Sequence, residues 1–142
     1  MKFLKINFFV IFLTLFFVNL AFTQEGSQSL VAALSGKAVV PGPGDSDGSG
    51  NIKVTINQNQ LCYELTVTNI ANPTAAAIYE GDSGKIGAIT VTLKPPVDGF
   101  SNDCINIGTG FTKRLSQNPE NFYVNVHTAE FMEGAIRGQL SK

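Results

Sequence analysis

At 142 residues the chain supports one domain rather than two. Its formal charge of −1 includes Lys2 and Lys5 at the very start; without them eight basic residues face eleven acidic ones, a net of −3. That mild acidity has the wrong sign for a nucleic-acid binder and is too weak to define another electrostatic partner.

The first segment reads as a secretory leader. Lys2 and Lys5 form a short positive region, and Phe8 to Val18 is apolar except for Thr14. Seven of the eleven phenylalanines fall within the first 23 residues, so the apolar content belongs disproportionately to this end. An apolar run of about a dozen residues has the length of a signal-peptide core, whereas a spanning helix needs about 20. Ala21-Phe22-Thr23 places small residues before a cleavage point at Gln24, with Ala21 as the neighbouring option and an uncleaved anchor as the competing reading. The chain thus divides into a cleaved leader (residues 1–23), a short linker (24–29) and one domain (30–142), secreted and free of the membrane once the leader is gone.

Beyond the leader the chain is rich in Gly, Thr, Asn, Val and Ile, the composition of short strands and turns. Ser29 to Gly36 reads as a first strand, and the Pro/Gly/Asp-rich run from Pro41 to Gly50 admits only a loop. Ile52, Val54 and Ile56 alternate with polar residues, as do Leu61, Tyr63, Leu65 and Val67; the polar stretch Asn57–Gln60 joins them as a hairpin. Thr74 to Tyr79 is a short apolar strand. Ile89, Val91 and Leu93 define another, stopped by Pro95-Pro96. Phe111 to Gln117 holds one or two helical turns with Phe111 and Leu115 on one face. Phe122, Val124 and Val126 alternate along a further strand, and Ala135 to Leu140 closes the chain. Seven to eight short strands, one helical insert and no βαβ alternation predict an all-β fold, an antiparallel two-sheet sandwich.

Cys62 and Cys104 are the only cysteines. Delivered to an oxidising compartment, they are expected to form a structural disulfide tying the Cys62 strand to the loop after Pro95-Pro96. A redox pair would favour Cys-x-x-Cys, and two thiols do not complete a zinc site. Asp45 to Ile52 matches the first eight positions of an EF-hand loop, but Ile56 stands where the bidentate Glu is required; the segment reads as a flexible acidic loop, with weak calcium binding as the alternative. No nucleophile elbow, zinc-binding helix or phosphate loop is present.

Several blocks together carry a resemblance: Leu34-Ser-Gly, Val40-Pro-Gly-Pro-Gly-Asp, Asp47-Gly-Ser-Gly50, Leu61-Cys-Tyr-Glu-Leu-Thr-Val67, Tyr123-Val-Asn-Val-His-Thr128 and Gly134-Ala-Ile-Arg-Gly-Gln-Leu140. In this order, from Leu30 to Leu140, the chain resembles the CHRD domain, named from repeats in chordin, an antagonist of bone-morphogenetic-protein signalling. The resemblance implies an extracellular protein with a β-sandwich similar to that of Cu/Zn superoxide dismutase, itself an immunoglobulin-like arrangement. The family's central strand commonly reads Ala-Ala-His-Ile-His-x-Gly, similar to a copper-binding strand. Here the segment is Ala75-Ala-Ala-Ile-Tyr-Glu-Gly81, with Ala77 and Tyr79 at the histidine positions.

His127 is the one histidine, and a copper or zinc centre normally needs several nitrogen or sulfur ligands. No cofactor is expected. His127 is expected to hydrogen-bond near a sheet end, on the face opposite Val124 and Val126, and Arg137 to pair with an acid across the sheet. Asn125, His127 and Arg137, within the two closing blocks, form the candidate binding surface. The expected function is a non-enzymatic extracellular module recognising a protein or matrix component; the runner-up is a metal-associated or redox enzyme on the dismutase-like scaffold.

Overall fold

Period-2 alternation becomes strand along nearly the whole domain in a computed structural model, which describes residues 26–142. The expected leader and its expected cleavage point lie outside the described residues. The strands are β1 (Gln28–Ser35), β2 (Ser49–Asn57), β3 (Gln60–Thr68), β4 (Pro73–Glu80), β5 (Ala88–Leu93), β6 (Phe100–Asn106), β7 (Phe122–Thr128) and β8 (Ile136–Gln139). One helix, α1 (Thr109–Gln117), and two 3-10 turns, Gly36–Ala38 and Pro119–Asn121, complete the set.

All pairings are antiparallel, in the order β5-β4-β7-β8-β1-β2-β3-β6. The two layers expected of a sandwich are therefore halves of one hydrogen-bonded sheet that curls until its edges approach. The seam is fastened at Lys94, just past β5. Its amide donates to the Tyr63 hydroxyl on β3 at 2.8 Å, and its carbonyl accepts from Ser101 Oγ on β6 at 2.8 Å. Beyond these two bonds β5 and β6 form no ladder, so each keeps an unpaired edge.

Inside the curl, the alternate residues of each strand form one core. Leu30, Val54, Leu61, Leu65, Ile78, Val124, Val126 and Ile136 are fully buried, and Leu115 of α1 reaches the same cluster. Phe111, one helical turn before Leu115, meets Phe122 edge-on at 5.5 Å between ring centres. The Arg114 guanidinium lies over both rings while binding Glu80 at 2.6 Å.

Two strand readings are corrected. Cys104 sits within β6 and not in a loop: it lies directly opposite Cys62 on β3, and the two form the disulfide. The strand escaped the alternation test because its inward positions are Ser101, Asp103 and Ile105, and an edge strand demands little apolar surface. In β5, Ile78 pairs with Val91 but Tyr79 pairs with Ile89, so Thr90 is an extra residue in a bulge. Its hydroxyl donates to the Ile78 carbonyl at 3.0 Å. The bulge turns Ile89 away from Val91 and Leu93 and leaves it 59% exposed.

The Asp45–Ile52 segment does not wrap as a calcium loop. From Ser49 onward it is strand, paired on both sides by β1 and β3. Asp45 and Asp47 lie close enough that burial, together with the neighbouring Asp47, raises the Asp45 carboxyl above the ordinary carboxylate range.

Candidate functional site

The outer face of β4, β7 and β8 gathers the residues singled out in the sequence. Cross-strand register places Ala75 beside His127, Ala77 beside Asn125, and Tyr79 beside Tyr123. On the other side of β7, Asn125 pairs with Arg137 and Tyr123 with Gln139. Asn125, His127 and Arg137 do share a face, but at different depths: Asn125 is 5% and Arg137 2% exposed, whereas His127 is half-buried.

Among the described residues Arg137 makes no ion pair with an acid across the sheet. Its guanidinium donates to the carbonyls of Lys85 at 2.7 Å and Asp82 at 3.0 Å, both in the loop between β4 and β5. It also lies 3.4 Å from the centre of the Tyr123 ring, a cation–π contact. Burial lowers its pKa from the ordinary arginine value, an effect that Tyr123 opposes. The same loop is held twice more: the Gly87 amide donates to the Tyr123 hydroxyl at 3.0 Å, and Gln139 Nε2 donates to the Gly81 carbonyl at 2.7 Å.

These contacts give the closing block a physical reading. Gly134 has φ +135°, and a Cβ there would run into the Asn125 amide. A Cβ at Gly138 would strike the Ala33 carbonyl of β1. Arg137 and Gln139 point outward to hold the loop, while Ile136 and Leu140 point into the core. The block is a sheet closure and a loop clamp.

The half-buried end of the face is a phenol–imidazole pair. The Tyr79 hydroxyl lies 2.7 Å from His127 Nε2, and His127 Nδ1 lies 2.9 Å from the Met132 carbonyl. A carbonyl only accepts, so Nδ1 carries a proton, and the tautomer this selects leaves Nε2 to accept from the phenol. Burial, reinforced by nearby Tyr123, raises the Tyr79 pKa above the ordinary phenol value. The two tyrosine rings stack nearly parallel, 5.0 Å between centres and 5° between planes. Deeper in, Asn125 Nδ2 donates to the Glu133 carbonyl at 3.1 Å, and its buried Oδ1 has no partner among the described residues.

The CHRD domain model matches residues 30–140. The chain belongs to the CHRD domain family. No curated protein and no solved structure matches it. The substitutions in this member's central strand now have a location. Ala77 and Tyr79 stand on the outer face beside His127's strand, Ala77 brings no donor atom, and the phenol of Tyr79 is engaged with the imidazole. One histidine without nitrogen companions does not fit a redox copper centre. Among the described residues no group of three or more His, Cys, Asp or Glu side chains could hold a metal ion.

In the sequence Tyr79 stands out only as a replaced histidine. Its bond to His127, 48 positions away, depends on the β4–β7 register, which no local pattern encodes.

Proposed function

We propose that this CHRD-domain protein is a secreted, non-enzymatic module that binds an extracellular protein or matrix component through the outer face around Tyr79 and His127. One observation carries this reading: the polar groups there are mostly engaged with one another and with loop carbonyls, while apolar side chains are presented outward. Ile86, Ile89 and Met132 are 68%, 59% and 79% exposed, three of the four large apolar residues more than half exposed among the described residues. All three adjoin the same network. Ile86 lies in the loop held by Arg137, Ile89 pairs with Tyr79, and Met132 supplies the carbonyl that His127 holds. Met and Tyr are favoured at protein interfaces, and a cluster of exposed apolar groups on rigid strands supports such a role. The disulfide is consistent with an oxidising compartment, as the leader is.

The test is affinity capture from the producing cells' extracellular medium, with Ile89→Glu/Met132→Glu as the comparison. A partner retained by the native protein and lost by the double variant supports the reading. Equal capture by both variants argues against this face, and no retained partner argues against a binding role. N-terminal sequencing of protein recovered from the medium should begin near Gln24; an intact Met1 in membrane-bound material refutes secretion by cleavage.

A further inference from the structure

We infer that Tyr79 and His127 form a one-electron donor site, in which Tyr79 gives an electron to a one-electron oxidant while its proton passes to His127. A phenol is hard to oxidise while it keeps its proton, because the radical cation is strongly acidic; a base within hydrogen-bond reach removes that obstacle. The geometry supplies such a base: Tyr79 Oη lies 2.7 Å from His127 Nε2, and the Met132 carbonyl fixes the tautomer that leaves Nε2 free to accept. The balance is simple. Tyr79–OH and neutral His127 become a neutral tyrosyl radical and an imidazolium, and the oxidant gains one electron. Reduction of the radical returns the proton along the same bond.

The site stands out against the other candidates. The chain has three tyrosines and no tryptophan, and both cysteines are in the disulfide. Tyr63 is buried and its hydroxyl accepts from the Lys94 amide, while the Tyr123 hydroxyl accepts from the Gly87 amide. Neither has a nitrogen base as hydrogen-bond partner. Tyr123 also lies beneath the Arg137 cation, which disfavours withdrawing an electron from its ring. Tyr79 is half-buried, so an outer-sphere oxidant can approach it, and Tyr123 stacked on one face restricts attack on the radical. A phenol is protonated at neutral pH and burial raises Tyr79 further, so loss of an electron calls for a nearby proton acceptor, the role His127 fills.

The probe is hexachloroiridate(IV), mixed with the whole protein in stopped flow, with freeze-quench electron paramagnetic resonance and a nitroso spin trap followed by peptide mapping. Native protein is expected to give a neutral tyrosyl signal and a trap adduct on Tyr79. His127→Asn retains a donor for the Met132 carbonyl but removes the base, and should slow oxidation by about 100-fold. Added imidazole should partly restore the rate. Tyr63→Phe should oxidise as the native protein does. Adduct mapping on native protein does not depend on any variant folding. An adduct on Tyr63 or Tyr123, or a His127→Asn protein that oxidises as fast as the native one, overturns the inference.

Discussion

Replacing Arg137 by Met tests whether this residue is a clamp or a ligand-binding group. The substitution keeps a long apolar stem in a site only 2% exposed and deletes the two hydrogen bonds to Lys85 and Asp82, at 2.7 and 3.0 Å. A hydrogen bond to a charged group is worth about 1.5–3 kcal/mol, and the contact with the Tyr123 ring adds about 0.5–2 kcal/mol. Two effects reduce the loss. Removing the guanidinium also removes its desolvation cost, and Asp82 and Lys85 are exposed, so their carbonyls can return to water if the loop lifts. The net cost should be about 2–3 kcal/mol. For a domain of this size that is a fall in Tm of about 6–12 °C. Thermal denaturation by circular dichroism measures it. Limited trypsin digestion supplies the local readout, since Lys85 lies in the released loop and should become an early cleavage site. A Tm within about 2 °C of the native value, with no new cut at Lys85, would refute the clamp.

Three further outcomes are expected. Replacing both cysteines by serine should cost about 4 kcal/mol on the chain-entropy account of a 42-residue separation. The sheet signal in circular dichroism should persist, because β3 and β6 pair in register from Gln60 to Thr66 without the bridge. Gly138→Ala should destabilise by at least about 2 kcal/mol in urea titration, because the new methyl meets the backbone carbonyl of Ala33 and has no flexible neighbour to displace. The Ala77→His/Tyr79→His double variant should gain copper affinity in calorimetry, since position 79 already reaches His127 and position 77 shares its face; unchanged affinity would show that the three side chains do not converge.

Much of the architecture was legible because burial on one side of a strand writes itself into every second residue. β2, β3 and β7 could be drawn from Ile52–Ile56, Leu61–Val67 and Phe122–Val126 alone. Alternation fades where that pressure is weak or interrupted. β6 buries only Ser101 and carries Asp103 in a surface ion pair with Lys94, and β5 carries the Thr90 bulge, which exposes an isoleucine that alternation assigns inward. Arg137 departs from its expected ion pair for a related reason. A buried guanidinium needs acceptors, and the sequence suggests carboxylates; the structure satisfies it with main-chain carbonyls, which every residue carries and no sequence pattern marks.

By itself the sequence determined the all-β class, the pairing of its only two cysteines and membership of the CHRD family, because each rests on residue identities or on local periodicity. Only the tertiary structure decided that the sheet closes on itself at Lys94, that Cys104 is a strand residue, and that Tyr79 meets His127. Those outcomes turn on register between strands far apart in the chain. A one-residue slip moves every side chain to the opposite face, so the phenol and the imidazole meet only once the whole curl has fixed β4 against β7.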